Sequence, residues 1–196
     1  MELILASGSP RREMLLRQIG LNFEVEPSGA DETIPGGAPP DELAEKLAVD
    51  KAKLVASQRR SGLVIGADTV VVLDGRPLGK PEDGAGAAEM LRALSGREHQ
   101  VITGIAVVDA ASGQVLSDAV VTAVRFAPLS EAVIARYVAT GEPMDKAGAY
   151  GIQGFGALLI EGIDGCYFNV VGLPLRRLAE LLAEFGYDAF AMPTKG

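Results

Sequence analysis

Two arginines follow a short polar turn near the start of the chain, in Ser7-Gly8-Ser9-Pro10-Arg11-Arg12. Ser9 is suited to cap a helix that begins at Pro10, which would place both arginines at the positive end of the helix dipole. Cations are unfavourable there unless an anion binds too, and the exposed N–H groups of a helix N-terminus bind phosphate readily. The segment therefore predicts either a phosphate site or two solvated arginines beside an ordinary cap.

Two further charged residues occupy positions where the pattern calls for apolar side chains. Lys51 falls in the apolar stripe of a long amphipathic segment, and Asp68 interrupts the uncharged apolar run 63–73. A lysine can reach water along the helix surface, and a lone buried aspartate is usually half of a structural ion pair. Alternatively, Lys51 could meet a triphosphate, and Asp68 could orient Mg²⁺ and take a proton from attacking water. Lys80, in a Gly-Lys-Pro loop, is one candidate partner for Asp68.

A glycine-rich segment runs from Lys146 to Gly154 and contains Gln153. Glycine lets backbone approach a ligand closely, and a glutamine offers both a donor and an acceptor to the edge of a base. Such loops are common, so this pattern is weak when taken alone. Asn169 could bond a ligand or tie a turn, while His99 and Cys166 have no suitable partner nearby in the sequence and are expected to be structural.

Composition limits the chemistry further. One histidine and one cysteine leave no material for a Cys/His metal site, and the sequence has neither a Walker loop nor a G-x-G-x-x-G after its first strand. The net charge of -8 argues against a stable nucleic-acid complex but permits a small anion held by local cations or a divalent metal. The residues alone predict an anionic, phosphorylated ligand bound with a divalent cation.

The same composition bears on location. A single cysteine excludes a disulfide within the chain and favours a reducing compartment. The N-terminus carries an acid where a signal peptide is basic, and no stretch approaches the roughly 18 apolar residues of a spanning helix. We therefore expect a cytoplasmic protein that does not associate with membranes.

The elements that must position these residues alternate between strand and helix. Periodicity and capping residues predict strands over 3–6, 23–26, 63–73, 101–109, 115–126 and 158–161, and helices over about 10–19, 41–60, 82–94, 130–140 and 173–185. The strands 101–109 and 115–126 form a hairpin inserted among the helices. This order predicts an α/β fold with a mixed sheet and flanking helices, and we expect residues 1–196 to form a single domain of two lobes.

These segments resemble, in order and over most of the chain, the Maf family of nucleotide pyrophosphatases. The resemblance runs from Leu3 to about Phe185 and rests on Ala6-Ser7-Gly8-Ser9-Pro10-Arg11-Arg12, Asp31-Glu32, Ala48-Val49-Asp50-Lys51-Ala52, Gly66-Ala67-Asp68-Thr69-Val70-Val71, Gly79-Lys80-Pro81, Lys146 to Gly154, and Asn169-Val170-Val171-Gly172-Leu173-Pro174. It implies two lobes with the active site in a central cleft, similar to inosine-triphosphate pyrophosphatases. It also implies metal-dependent hydrolysis between the α and β phosphates of a nucleoside triphosphate.

The family's site residues transfer onto matching positions of this chain. By resemblance, Asp68 is the general base, and Glu32 and Asp68 are the carboxylates for Mg²⁺ or Mn²⁺. The resemblance further implies a triphosphate clamp with Ser7 beside it, formed by Arg11, Arg12, Lys51 and Lys80.

The family's specificity positions fall on Arg12, Thr69 and Gln153. The Asp-Thr pair and the Ala-Gly-Ala-Tyr-Gly-Ile-Gln run resemble the branch that hydrolyses dTTP, UTP and modified pyrimidine analogues to monophosphate and pyrophosphate. The sister branch, which acts on 7-methyl-GTP, differs after the aspartate and in the glycine-rich loop. A non-catalytic, nucleotide-binding regulator of division would use the same pocket and remains an alternative. Family members often form homodimers, although these residues give no indication of one.

Overall fold

The computed structural model describes residues 1–30 and 38–191, so Glu32 lies outside the described residues. The strands are β1 (Leu3–Leu5), β2 (Glu24–Val25), β3 (Leu63–Leu73), β4 (Arg76–Leu78), β5 (Glu98–Asp109), β6 (Val115–Phe126) and β7 (Ile160–Asp164). The α-helices are α1 (Pro10–Gln18), α2 (Pro40–Ala56), α3 (Gly84–Leu94), α4 (Glu131–Ala139), α5 (Tyr167–Val171) and α6 (Leu175–Glu184). Short 3-10 turns occupy Glu142–Asp145, Ala147–Ala149 and Gly154–Leu159.

Within the described residues, the seven strands form one mixed sheet in the order β2-β1-β3-β5-β6-β7, with β4 paired to β3. Strand β1 runs parallel to both β2 and β3, whereas β3 with β4 and β6 with β7 are antiparallel. Strands β5 and β6 are neighbours joined by a short turn, as the predicted hairpin requires. The predicted α/β class with a mixed sheet and flanking helices is therefore confirmed.

The chain divides into two compact units. The first unit contains Met1–Asp68, Thr103–Val120 and Gly172–Gly196, and the second contains Thr69–Ile102 and Val121–Val171. Strands β3, β5 and β6 each contribute residues to both units. The expectation that residues 1–196 form a single domain stays a prediction.

Each unit has its own cluster of buried apolar side chains. In the first unit, α2 packs on the sheet through small residues, and the cluster comprises Ile4, Ala6, Ala48, Ala52, Val55, Ala56, Val64, Ala106 and Val108. In the second unit the cluster is built from larger side chains, namely Val71, Leu73, Ala87, Leu91, Leu94, Val101, Val124, Phe126, Ile134, Tyr137, Ala149, Tyr150 and Leu159. Small residues under α2 allow its backbone to approach the strands closely.

Two glycines make that close approach possible in the first unit. A Cβ atom on Gly66 of β3 would overlap the backbone oxygen of Ala48 in α2, and one on Gly104 of β5 would overlap the backbone of Ala44. Backbone atoms cannot rotate out of the way as a side chain can, so any larger residue would push the helix off the sheet. The glycines thus set the distance between α2 and β3, and with it the distance of Lys51 from β3.

Several boundaries differ from the sequence prediction. The predicted helix 173–185 begins at Leu175, and the separate helix α5 precedes it at Tyr167–Val171. Strand β7 begins at Ile160, two residues after the predicted start at Leu158, because Gly154–Leu159 form a 3-10 turn. Helix α2 ends at Ala56, before the predicted end at Arg60.

Candidate functional site

The first helix begins as predicted and holds a buried arginine in a fixed orientation. Ser9 is the N-cap residue of α1, yet within the described chain its side chain makes no capping hydrogen bond. Arg12 is only 9% exposed; its Nε donates to the carbonyl oxygen of Gly172 at 2.8 Å, and its Nη1 donates to Ser7 Oγ at 3.0 Å. Both acceptors are neutral oxygens, and together they hold the guanidinium in one direction. Arg11 is half-buried in the same turn.

Lys51 and Asp68, which the sequence singled out separately, form a buried ion pair. Lys51 Nζ lies 2.6 Å from Asp68 Oδ1, and the two side chains are 6% and 13% exposed. The pair joins α2 to β3 in the first unit, where Gly66 allows the helix to lie close to the strand. Lys51 therefore does not extend along the helix surface to water. The lysine that forms an ion pair with Asp68 in the structure is Lys51. A charge-assisted hydrogen bond of this kind fixes the direction of the carboxylate.

The other three predicted site residues that the structure describes lie in the second unit. Thr69 follows Asp68 in β3 and is half-buried, Lys80 is exposed after β4, and Gln153 is half-buried just before the turn Gly154–Leu159. The loop of Lys80 and the segment of Gln153 are joined by one backbone hydrogen bond, from Gly148 N–H to the oxygen of Gly79 at 3.0 Å.

Gly148 shows why the glycine-rich segment needs glycine. Its φ of 68° is a left-handed conformation, and a Cβ on it would overlap the side chain of Val71 in β3. This residue lets the segment fold tightly over β3 within the second unit.

Two polar residues outside the predicted site hold the second unit together. Asn169 is fully buried and donates through Nδ2 to the oxygen of Val101 at 3.0 Å and to Thr122 Oγ1 at 2.9 Å. It therefore ties α5 to β5 and β6, which is the structural alternative given by the sequence. Thr122 Oγ1 also bonds the backbone of Cys166, both to its N–H and to its oxygen.

The single histidine has a partner far away in the sequence. Nε2 of His99 lies 2.6 Å from Oη of Tyr150, which is 51 positions later and belongs to the glycine-rich segment. Both rings also stack edge-on against Phe126. Burial lowers the pKa of His99 to about 4, so the imidazole is neutral near pH 7. Its surroundings support the expectation of a structural role.

Sequence reasoning missed Glu142, whose carboxylate binds the end of the glycine-rich segment. It accepts hydrogen bonds from the backbone N–H groups of Phe155 and Gly156, each at 3.0 Å. An acid in a Gly-Glu-Pro sequence resembles any solvated loop residue, so the sequence offered no signal. Only the folded chain shows where this carboxylate points.

A divalent cation was predicted on Glu32 and Asp68. Glu32 lies outside the described residues, and residues 1–30 and 38–191 contain no cluster of three or more His, Cys, Asp or Glu side chains suited to a metal. Mg²⁺ in nucleotide enzymes is commonly held by one or two carboxylates together with substrate phosphates and water. Of the two predicted carboxylate ligands the structure describes Asp68, which fits a cation bound largely through the phosphates of a ligand.

The fold and these side chains define an α/β protein with a mixed sheet, an oriented arginine at a helix start and a buried lysine–aspartate pair. The chain belongs to the Maf-like protein family, whose model matches residues 2–185. The family resemblance predicted from the sequence is thereby confirmed.

Named relatives match this chain along nearly its whole length. A dTTP/UTP pyrophosphatase of Pelotomaculum thermopropionicum is 57% identical, with 95% of this chain and 98% of the relative covered. One of Moorella thermoacetica is 55% identical, covering 96% and 97%, and one of Clostridioides difficile is 50% identical, covering 94% and 95%. Among solved structures, a HAM1 protein from Coxiella burnetii is similar in fold, with a TM-score of 0.50 at 18% identity, covering 82% of this chain and 80% of that one.

Proposed function

We propose that this protein is a nucleoside triphosphate pyrophosphatase that hydrolyses dTTP and UTP, and modified pyrimidine analogues, to the monophosphate and pyrophosphate. The observation that carries the proposal is the identity of 57% along nearly the full length of a relative named dTTP/UTP pyrophosphatase. The buried Lys51–Asp68 pair supports it, because hydrolysis needs a carboxylate held in one direction to accept a proton from water. Its biological role would be to clear unwanted nucleotides from the pool.

The cations supply the phosphate-binding part of the proposed mechanism. Arg11 and Arg12, with the N–H groups at the start of α1 and Ser7 beside them, would neutralise part of the triphosphate. Lys80 would add a mobile point charge from its exposed loop. Because Ser7 and Gly172 already orient Arg12, little conformational entropy is lost when the substrate binds.

Asp68 is the proposed general base. Lys51 bonds Oδ1, and we assign Oδ2 to the attacking water. The water oxygen forms a bond to the α-phosphorus, its proton passes to Asp68, and the bond from the α-phosphorus to the bridging oxygen breaks to release pyrophosphate. A divalent cation, Mg²⁺ or Mn²⁺, bound with Glu32 and Asp68 would supply further neutralisation of phosphate charge. Catalysis in this scheme is mostly positioning and charge stabilisation.

Selection of the base is assigned to Arg12, Thr69 and Gln153. The amide of Gln153 can donate to and accept from a pyrimidine edge, and a site built to hydrogen-bond one base discriminates against bases that leave its polar groups unpaired. No stable nucleic-acid complex is proposed, since the net charge is -8.

A cytoplasmic location also belongs to the proposal, and it rests on the single cysteine. Across residues 1–30 and 38–191, every helix is too short or too polar to cross a bilayer.

The test is pyrophosphate release from dTTP, UTP, CTP, GTP and 7-methyl-GTP, each with Mg²⁺, with Mn²⁺ and with a chelator. We expect metal-dependent release that is fastest from dTTP and UTP. A preference for 7-methyl-GTP would assign the chain to the sister branch. Nucleotide binding with no release of pyrophosphate would instead make the protein a regulator.

A further inference from the structure

Glu142 gathers three hydrogen-bond donors onto one carboxylate in the second unit. Its Oε1 accepts from Tyr137 Oη at 2.9 Å and from Gly156 N–H at 3.0 Å, while its Oε2 accepts from Phe155 N–H at 3.0 Å. Adjacent backbone N–H groups that converge on one side chain need a hydrogen-bond acceptor there. An ionised carboxylate accepts hydrogen bonds and donates none. The side chain thus fixes the start of the turn Gly154–Leu159.

The same cluster reaches the other side of Gln153. Tyr137 Oη, which donates to Glu142, also accepts a long hydrogen bond from Gly151 N–H at 3.4 Å. Gly151 precedes Gln153 by two residues, and Phe155 follows it by two. Gln153 therefore lies between two backbone anchors that share the Tyr137–Glu142 pair.

Steric contacts show how tightly this arrangement is packed. Gly154 has a φ of 66°, and a Cβ on it would lie 2.6 Å from Glu142 Oε2. A Cβ on Gly156 would overlap the backbone oxygen of Gly151, so the two arms of the segment touch directly. Glycine at these positions lets the segment close around the carboxylate.

Lys146 completes the support from the other side. Its Nζ donates to the backbone oxygen of Glu142 and to Asp145 Oδ1, both at 2.6 Å, and its side chain is 14% exposed. A Cβ on Gly151 would lie 2.9 Å from Lys146 Cε, so the lysine methylenes cover this end of the segment. Lys146 thus holds the backbone of Glu142 while three other donors hold its carboxylate.

We propose that Glu142 is a positioning residue for base selection: it holds residues 151–156 in the one conformation that presents the amide of Gln153 to the nucleotide base. The proposal rests on the proposed function and on the assignment of Gln153. Glu142 acts through the backbone of its neighbours and has no contact with substrate in this scheme. Loss of the Glu142 carboxylate changes how well the correct base binds and does not affect the hydrolysis step assigned to Asp68.

The test variant is Glu142→Gln, which keeps the shape of the side chain. Its NH₂ group would face one of the N–H or O–H donors whose hydrogen bonds the native carboxylate accepts. We expect KM for dTTP and UTP to rise roughly ten-fold while kcat changes little, because the lost hydrogen bonds orient only the binding segment. The preference for dTTP and UTP over CTP and GTP should fall by a similar factor.

Two further variants make the expected result graded. Tyr137→Phe removes only the hydroxyl that links Glu142 to Gly151, and it should shift KM in the same direction by less. Glu142→Asp keeps an acceptor-only carboxylate on a shorter chain, and it should recover part of the preference. The matched control is Glu161→Gln, because Glu161 pairs with Arg125 on the surface of the same unit and both side chains are more than half exposed.

Hydrogen exchange separates failure of this inference from failure of the proposed function. Amides in peptides covering 151–156 should exchange faster in Glu142→Gln and not in Glu161→Gln. If the native protein releases no pyrophosphate, the proposed function is wrong, and binding of dTTP against GTP in the same variants still decides the role of Glu142. An unchanged base preference, or an equal loss of kcat with every nucleotide, would overturn the inference. If Glu142→Gln fails to fold, Tyr137→Phe decides by the same criteria.

Discussion

Lys51 and Asp68 illustrate how a buried charge is made tolerable and useful at the same time. Each alone would be costly inside the first unit, but at 2.6 Å they compensate each other. A buried ion pair rarely adds net stability compared with apolar side chains of similar size. A buried pair in such a place is therefore better explained by the role that we propose for the carboxylate than by what the pair contributes to folding.

Replacing Asp68 by asparagine tests its assignment as the base. Asp68→Asn keeps the shape of the side chain but cannot accept the proton of water, so kcat should fall roughly one hundred- to ten-thousand-fold. Nucleotide binding should be partly retained, because the cations that we propose to bind phosphate are untouched. Steady-state kinetics together with equilibrium binding of dTTP measure both quantities.

Asp50→Asn is the matched control for that change, because Asp50 pairs with Lys46 on the exposed side of α2. Its kinetics should equal those of the native protein. Turnover retained in Asp68→Asn would show that another group takes the proton.

Removing only the lysine of the pair should destabilise the protein strongly. Lys51→Met leaves the carboxylate of Asp68 buried without its cation, which costs about 3–5 kcal/mol. The double variant Lys51→Met with Asp68→Leu removes both charges and should recover most of that loss while remaining inactive. Urea denaturation in the absence of nucleotide measures all three free energies of unfolding. A double variant no more stable than Lys51→Met alone would contradict this account.

At the scale of elements, the close contact of α2 with β3 places the lysine over the aspartate. Gly66→Ala would drive a Cβ into the backbone of Ala48, so we expect a loss of ~1–3 kcal/mol from overpacking. Activity should fall as well, because the helix that carries Lys51 must move away from the strand. Thermal unfolding and dTTP hydrolysis measure the two effects.

Gly86→Ala is the control for this substitution. In α3 the new methyl group would meet only Asp83 Oδ1, at an ordinary distance of 3.5 Å. Alanine is the better helix former, so this variant should be unchanged or more stable by up to about 1 kcal/mol. Equal behaviour of the two variants would mean that β3 and α2 tolerate separation.

The elements also show what local sequence can predict. Strand β3 and the start of α1 follow from an apolar run and from a cap followed by proline, both of which are local signals. Strand β4 was missed because three residues carry too little pattern, and it exists only by pairing with β3. Gly172, with a φ of 123°, and Pro174 separate α5 from α6, and periodicity alone does not reveal α5 because it has only five residues.

The candidate site, like the fold, was predictable only where the signal is local in the sequence. Lys51 and Asp68 each stand out because a charge breaks an apolar pattern, but their pairing depends on the register of α2 over β3. Likewise, the cost of burying Arg12 is visible in sequence only as a charge at the wrong end of a helix. Its acceptor on Gly172 lies 160 positions away, where no local rule reaches.

For the whole molecule, histidine titration reduces to one group, because His99 is the only histidine. Its pKa falls from 6.5 to about 4 on burial, so between these values the unfolded chain binds a proton that the folded chain does not. The protonated ring carries an N–H at both nitrogens, and Nδ1 has no hydrogen-bond partner among the residues the structure describes. Stability contributed by the neutral ring is therefore complete above pH 6.5 and is lost as the pH falls toward 4.

The expected size of this loss is about 3 kcal/mol between pH 7 and pH 4. Urea denaturation midpoints are measured across that range for the native protein and for His99→Gln. Above pH 6.5 the two midpoints should change with pH in the same way. Below pH 6.5 the midpoint of the native protein should fall more steeply than that of His99→Gln. Carboxylates titrate alike in both proteins and cancel in the comparison. Parallel curves at every pH would show that the imidazole accepts a proton without penalty.

The way the chain passes between its two units has a consequence for biosynthesis. The chain crosses from one unit to the other four times, after residues 68, 102, 120 and 171. Arg12 is synthesised 160 residues before Gly172, whose backbone oxygen orients it. While the intervening residues are synthesised, the nascent chain carries that arginine without this acceptor, so the guanidinium at the start of α1 is oriented only after the chain has crossed between the units four times.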